Sequence, residues 1–142
     1  MFTARAATLV IATAAAMAAT SAAAAPGDVT IVARLTGSAE TPPASANGSG
    51  SFQGRLNPAT GSLCYTLTSK NLDTLTMAHI HAGAAGVSGP PVVVLTASAP
   101  LETCTPVAPD VAAKLLANPA NFYVNIHTAQ FPAGAVRGQL TR

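Results

Sequence analysis

The amino-acid sequence predicts an all-β protein: an antiparallel, Greek-key-like β-sandwich of about seven strands with one short helix. Three observations predict it. Several short segments alternate apolar and polar residues with period two. All 11 Gly and all 11 Pro fall after residue 25, so turns cut these segments apart. Only one segment carries helical spacing. The same spacing of strands also fits a barrel.

Residues 29–35 form the first expected strand, with Val29, Ile31, Ala33 and Leu35 on one face. Residues 36–51, rich in Gly, Ser, Ala and Pro, read as a long loop. Pro42 and Pro43 lack backbone donors and keep this segment off the sheet interior. Strands 51–56 and 63–69 flank Asn57-Pro58-Ala59-Thr60-Gly61, a turn with Pro near its start and Gly at its end. A strand over 74–81 precedes a Gly- and Pro-rich loop, 82–91. The β-branched run 92–95 suits a strand buried on both faces. Residues 110–117 form the helix. Val111 and Leu115, and Ala112 and Leu116, repeat at i, i+4; Pro109 and Asp110 suit its start, and Asn118-Pro119 stops it. Strands 122–127 and 135–140 close the chain.

Residues 1–24 read as a secretory signal peptide: Arg5, then an apolar stretch, then small residues before a cut after Ala24. The stretch is shorter than the roughly 20 apolar residues a membrane span needs. The expected mature chain, 25–142, is one domain, exported to the periplasm or beyond the cell, with no transmembrane segment. Without this segment the hydrophobic content falls from 49% to about 44%.

Charge excludes further classes. Seven Lys and Arg against five Asp and Glu supply no basic surface for nucleic acid. High hydrophobicity with low charge is the opposite of a disordered composition. In an exported chain the two cysteines, Cys64 and Cys104, most simply form one disulfide; their spacing is not that of a zinc clip.

The three histidines are not scattered. His79 and His81 are two apart on one strand, so they share a face with Met77. On the strand 122–127, Tyr123, Asn125 and His127 form one face and Phe122, Val124 and Ile126 the other. If these strands are neighbours, three imidazoles converge, a donor set suited to zinc or copper. Ring nitrogens within about 4 Å of one another would mark such a site. The plainer reading is that each ring caps a backbone carbonyl at a strand end. No carboxylate lies close in sequence: Asp73, Glu102 and Asp110 are the nearest. There is no nucleophile elbow, P-loop or dinucleotide fingerprint, and Ser88 near His81 has no oriented acid behind it.

Met77-Ala78-His79-Ile80-His81-Ala82-Gly83, followed by Gly86 and Gly89-Pro90-Pro91-Val92-Val93-Val94-Leu95, resembles the first half of the CHRD (chordin-type) domain. The stretch from Asn121 to Thr128, then Phe131-Pro132-Ala133-Gly134-Ala135-Val136-Arg137-Gly138-Gln139-Leu140, resembles its closing motif. Leu35-Thr36-Gly37 with Glu40-Thr41-Pro42-Pro43 resembles its opening segment. The resemblance covers nearly all of residues 28–142. It implies a domain found in chordin and in single-domain exported bacterial proteins, and it brings no activity or partner with it.

The order of His79-x-His81, His127 and a Gly-x-x-Arg-Gly at 134–138 is also similar to the copper side of Cu/Zn superoxide dismutase. The other zinc ligands of that enzyme have no counterparts here, which leaves at most a mononuclear site. Gly134 and Gly138 suit a tight turn and close backbone packing. Arg137 between them suits a buried ion pair or cap.

Two functions follow. The first is a non-enzymatic exported module that binds a protein or another component of the cell envelope or extracellular space. The second is a copper- or zinc-binding protein, redox-active in the copper case, using His79, His81 and His127.

Overall fold

Strand β1 (Val29–Thr36) pairs along its whole length with β2 (Ser49–Asn57), and β2 with β3 (Ser62–Lys70), all antiparallel. The period-two pattern dictates the arrangement. Ile31, Ala33 and Leu35, Phe52 and Leu56, and Leu63, Tyr65 and Leu67 all bury on one face. At the β2–β3 turn, Asn57 Oδ1 accepts the backbone N–H groups of Ala59 and Thr60 at 3.0 and 3.1 Å. These elements come from a computed structural model, which describes residues 27–142. The expected signal segment, 1–24, lies outside the described residues.

The remaining elements are β4 (Leu75–Ala82), β5 (Pro91–Leu95), β6 (Ala99–Pro106), helix α1 (Pro109–Ala117), β7 (Phe122–Thr128) and β8 (Val136–Gln139). The helix starts on Pro109 with Asp110 in its first turn and buries Ala112 and Leu115. Val111 and Leu116 pack partly buried against the core beside them.

The strand order is β5-β4-β7-β8-β1-β2-β3-β6. The weak joint is β8–β1, held by the register pair Thr36–Arg137 and a bridge between Val32 and Thr141. The backbones crowd there: a Cβ on Gly138 would fall 2.1 Å from the Arg34 carbonyl oxygen. This explains the last glycine of the Gly-x-x-Arg-Gly stretch as a packing requirement.

The sheet rolls about this joint into two four-stranded layers enclosing the core. The outermost strands of the order, β5 and β6, are linked by only three residues, 96–98, so the two ends must come together. The Thr96 N–H donates to the Tyr65 hydroxyl at 2.8 Å, tying the end of β5 to the opposite layer. The chain crosses between layers at β3–β4, β5–β6 and β6–β7. The fold is therefore all-β and antiparallel, sandwich-like and nearly closed into a barrel, with one short helix.

Two local expectations change. An eighth strand, β6, joins the expected seven. It is an exposed edge, bounded by Pro100 and Pro106, and lacks the apolar alternation that betrays a strand covered on one side. The run 92–95 is also an edge strand and is not buried on both faces: Val93 and Leu95 face the core, while Val94 is 70% exposed. Cys64 and Cys104 form the expected disulfide, directly opposite one another on β3 and β6. The bond fastens the missed edge strand to its neighbour.

Candidate functional site

The back face of β4, β7 and β8, turned away from the core, is polar. Register places His79 beside Asn125 and Asn125 beside Arg137; one step along, His81 faces Tyr123 and Tyr123 faces Gln139. Met77 faces His127. Period two sends all these side chains to one side, while Ala78, Ile80, Val124, Ile126 and Val136 enter the core on the other.

A solvent-facing layer would leave these residues exposed, yet every residue of β7 is buried. Loops close over the layer and are held by its own side chains. His81 Nδ1 donates to the Gly89 carbonyl at 2.8 Å, and His127 Nδ1 to that of Pro132 at 2.9 Å. Arg137 Nη2 donates to the Ala84 carbonyl at 2.8 Å and to Gln139 Oε1 at 3.1 Å. Gln139 Nε2 reaches the carbonyls of Gly83 and Ala120 at 3.0 and 2.7 Å. Buried polar groups thus find partners in the covering loops.

The three imidazoles converge. His79 Nδ1 lies 3.2 Å from His127 Nε2, and one nitrogen from each of the three rings falls within 4.8 Å of the others. A metal bonded at about 2.0–2.1 Å in tetrahedral geometry sets its nitrogens about 3.3 Å apart. One pair already meets that spacing; the 4.8 Å bound on the whole set is wider than the expected spacing of about 4 Å, so the remaining ring would have to move inward to share an ion. The two carbonyl bonds use Nδ1 of His81 and of His127, which turns the His127 Nε2 lone pair toward His79 and leaves that of His81 without a partner. His81 Nε2 is buried without a hydrogen-bond partner. Carbonyls behind a ring fix its tautomer and aim, as partners of metal-bound histidines do. The expected capping role thus holds for His81 and His127 but not for His79, whose hydrogen bond goes to His127.

Burial, followed by the other two imidazoles, lowers the pKa of His79; burial also lowers that of His81, against the opposing hydrogen bond to Gly89 and with His127 and then Arg137 adding to the fall. Both rings therefore favour the neutral form that binds metal.

The CHRD domain model matches residues 31–140, and every residue of this layer lies inside that span. The chain belongs to the CHRD domain family. No curated protein and no solved structure shows significant similarity to it. In this CHRD domain the histidine pair of the first motif and the single histidine of the closing motif come together on neighbouring strands, β4 and β7.

Of the two expected roles, ion pair or cap, Arg137 forms no ion pair within 4 Å among the described residues and caps the Ala84 carbonyl. It is 1% exposed, and its guanidinium carbon sits 3.4 Å from the centre of the Tyr123 ring. The other side of that ring stacks on His81, with centroids 4.9 Å apart and planes 10° apart. His81, Tyr123 and Arg137 thus form one stack, worth about 0.5–2 kcal/mol per contact beyond area burial.

Two further residues of the layer were not singled out by sequence. Glu40 is buried, and burial pushes its pKa up to about 7 against the opposing pull of Arg137. A Cβ on Gly134 would fall 2.5 Å from Glu40 Oε1, so that glycine makes room for the carboxyl group. Asn125 bridges the histidine and arginine rows. Period two offered the signal for Asn125; Glu40 entered only within the stretch Glu40-Thr41-Pro42-Pro43 that resembles the opening segment of the family.

The other acids stand apart from the histidines. Asp73 Oδ2 accepts the Gln130 N–H at 2.9 Å, and Glu102 pairs with Arg55 at 2.5 Å. Cys64, Glu102 and Cys104 also lie close together, but the disulfide consumes both thiols. No helix among the described residues is long and apolar enough to cross a membrane.

Proposed function

We propose that this CHRD domain is an exported metal-binding protein holding one copper or zinc ion on His79, His81 and His127. The observation that carries the reading is the convergence of one nitrogen from each of the three imidazoles, with His81 Nε2 buried and without a hydrogen-bond partner while its Nδ1 is tied to Gly89. Burying an acceptor with nothing to receive is costly, and a bound cation removes that cost. The three imidazoles bring no charge, so the ion retains its positive charge, with a fourth position open beside the partly exposed His79. The disulfide and the signal-like first 24 residues support a periplasmic or secreted location.

The test is titration of the purified protein with Zn(II) and Cu(II). One ion per chain is expected, with binding abolished in His79→Ala/His81→Ala. Affinity weaker than millimolar, or unchanged in the double variant, would overturn the proposal.

A second reading, a non-enzymatic module docking a protein or envelope component, is favoured by the two edge strands. Val94 on β5 and Leu101 on β6 are 70% and 81% exposed, and both strands carry a free backbone edge. A pull-down from envelope extract that enriches no partner with wild type over Leu101→Lys counts against it.

A further inference from the structure

Among the described residues four large apolar side chains stand exposed; Val94 and Leu101 lie on edge strands and Val87 in a loop. Met77, 49% exposed, lies instead at the mouth of the three-histidine layer. It sits directly opposite His127 in the β4–β7 register and two residues before His79 on the same strand face. Directly opposed residues on a sheet hold their Cβ atoms about 4.5–5.5 Å apart, within reach of the flexible methionine side chain. Both cysteines are consumed by the disulfide, so Met77 carries the one free sulfur ligand among the described residues.

We propose that Met77 is the fourth ligand of this site and that its Sδ makes the site selective for Cu(I). The inference rests on the three-histidine reading above. Thioether sulfur is a soft ligand that binds Cu(I) and adds little for Zn(II), whereas imidazole serves both. Charge argues the same way. Three neutral imidazoles and a thioether bring no negative charge, and the Arg137 guanidinium lies against Tyr123, the ring that stacks on His81. A monovalent ion is less opposed by that surrounding than a divalent one. Met77 does not contribute to the core, so its exposure is explained by the ligand role.

The experiment compares wild type with Met77→Leu, a change of similar volume at an exposed position that leaves the fold intact. Cu(I) is titrated anaerobically into the full chain in competition with a chromogenic Cu(I) chelator, and Zn(II) in a parallel series. Met77→Leu is expected to weaken Cu(I) by about tenfold or more and to leave Zn(II) within about twofold. X-ray absorption of the Cu(I) form is expected to show one sulfur scatterer that the variant lacks. Unchanged Cu(I) affinity in Met77→Leu overturns the role of Met77 while the histidine site stands. An equal loss of both metals also overturns it, because that is the mark of a structural role. Failure of wild type to bind either metal overturns the histidine reading itself.

Discussion

His79 Nδ1 lies 3.2 Å from His127 Nε2, and the bond from His127 Nδ1 to the Pro132 carbonyl decides which of the two donates. Neutral His127 carries its proton on Nδ1, so its Nε2 accepts and His79 Nδ1–H donates. In the proposed site a metal ion would take the place of that one proton.

Metal affinity should therefore be level from pH 8 to 7 and fall in acid. Burial lowers the pKa of His79 and of His81 from 6.5, so these rings remain neutral further into acid than ordinary imidazoles. The decline should set in below about pH 6.5. Zinc titrations at half-unit pH steps check this; a steep decline already between pH 8 and 7 would show a different ligand set.

The same shifts govern the metal-free protein. A histidine with a depressed folded pKa leaves more protons on the unfolded chain, so its stability contribution is full above 6.5 and is lost as pH falls through the folded pKa. Urea denaturation should give a midpoint that drops below pH 6.5. In His79→Gln the drop should shrink, and an undiminished drop would place its origin elsewhere.

Glu40 acts with the opposite sign. Its folded pKa is raised from 4.5 to about 7, so its contribution is full below 4.5 and is lost as pH rises through 7. Glu40→Gln removes that loss. The variant should be more stable than wild type at pH 8, by about 3 kcal/mol at most, and close to it at pH 4.5. The difference between the two denaturation curves across this range is the measurement. A variant less stable at pH 8 would mean that the ionised carboxylate and Arg137 attract more strongly than burial penalises.

The disulfide carries a separate expectation. It closes a 40-residue separation and holds β6, an edge strand with exposed side chains, on β3. Cys64→Ser/Cys104→Ser should lose roughly 3–4 kcal/mol on the chain-entropy model. Hydrogen exchange should quicken first in residues 99–106. Uniform acceleration across β1, β2 and β3 would show that the bond supports the whole fold equally.

Much of this site was legible in the sequence because strand parity is a strict rule. Period two put His79, His81 and Met77 on one face, and Tyr123, Asn125 and His127 on another, before any strand order was known. Neighbourhood was not legible. That β4 lies against β7, and β7 against β8, is set by how the two layers close, and alternation within a strand carries nothing about it. β6 was missed for a related reason: as an edge it buries little, so Leu101, Glu102 and Thr103 obey no pattern. Glu40 lies 85 residues before Asn125 and meets it only because the loop after β1 folds back, with the Ser45 N–H donating to the Ala135 carbonyl at 3.1 Å.

Tyr123 joins the two halves of the layer and separates two explanations of how His81 is aimed. Its ring lies between His81 and the Arg137 guanidinium, while its hydroxyl accepts the Gly89 N–H at 3.2 Å. Gly89 also receives the His81 Nδ1–H, so both ring and hydroxyl bear on the same imidazole. Tyr123→Phe keeps the stack and leaves one N–H unpaired, for a loss of about 1 kcal/mol and little change in metal affinity. Tyr123→Leu removes both stacked contacts and leaves Arg137 without its aromatic face, for a loss of about 2–4 kcal/mol. Its metal affinity should fall about 10–100-fold, the usual effect of freeing a ligand from its supporting groups. Thermal unfolding and zinc titration of the two variants side by side give the answer. If Tyr123→Leu binds zinc as wild type does, the Gly89 carbonyl alone aims His81, and the stack serves only to bury Arg137.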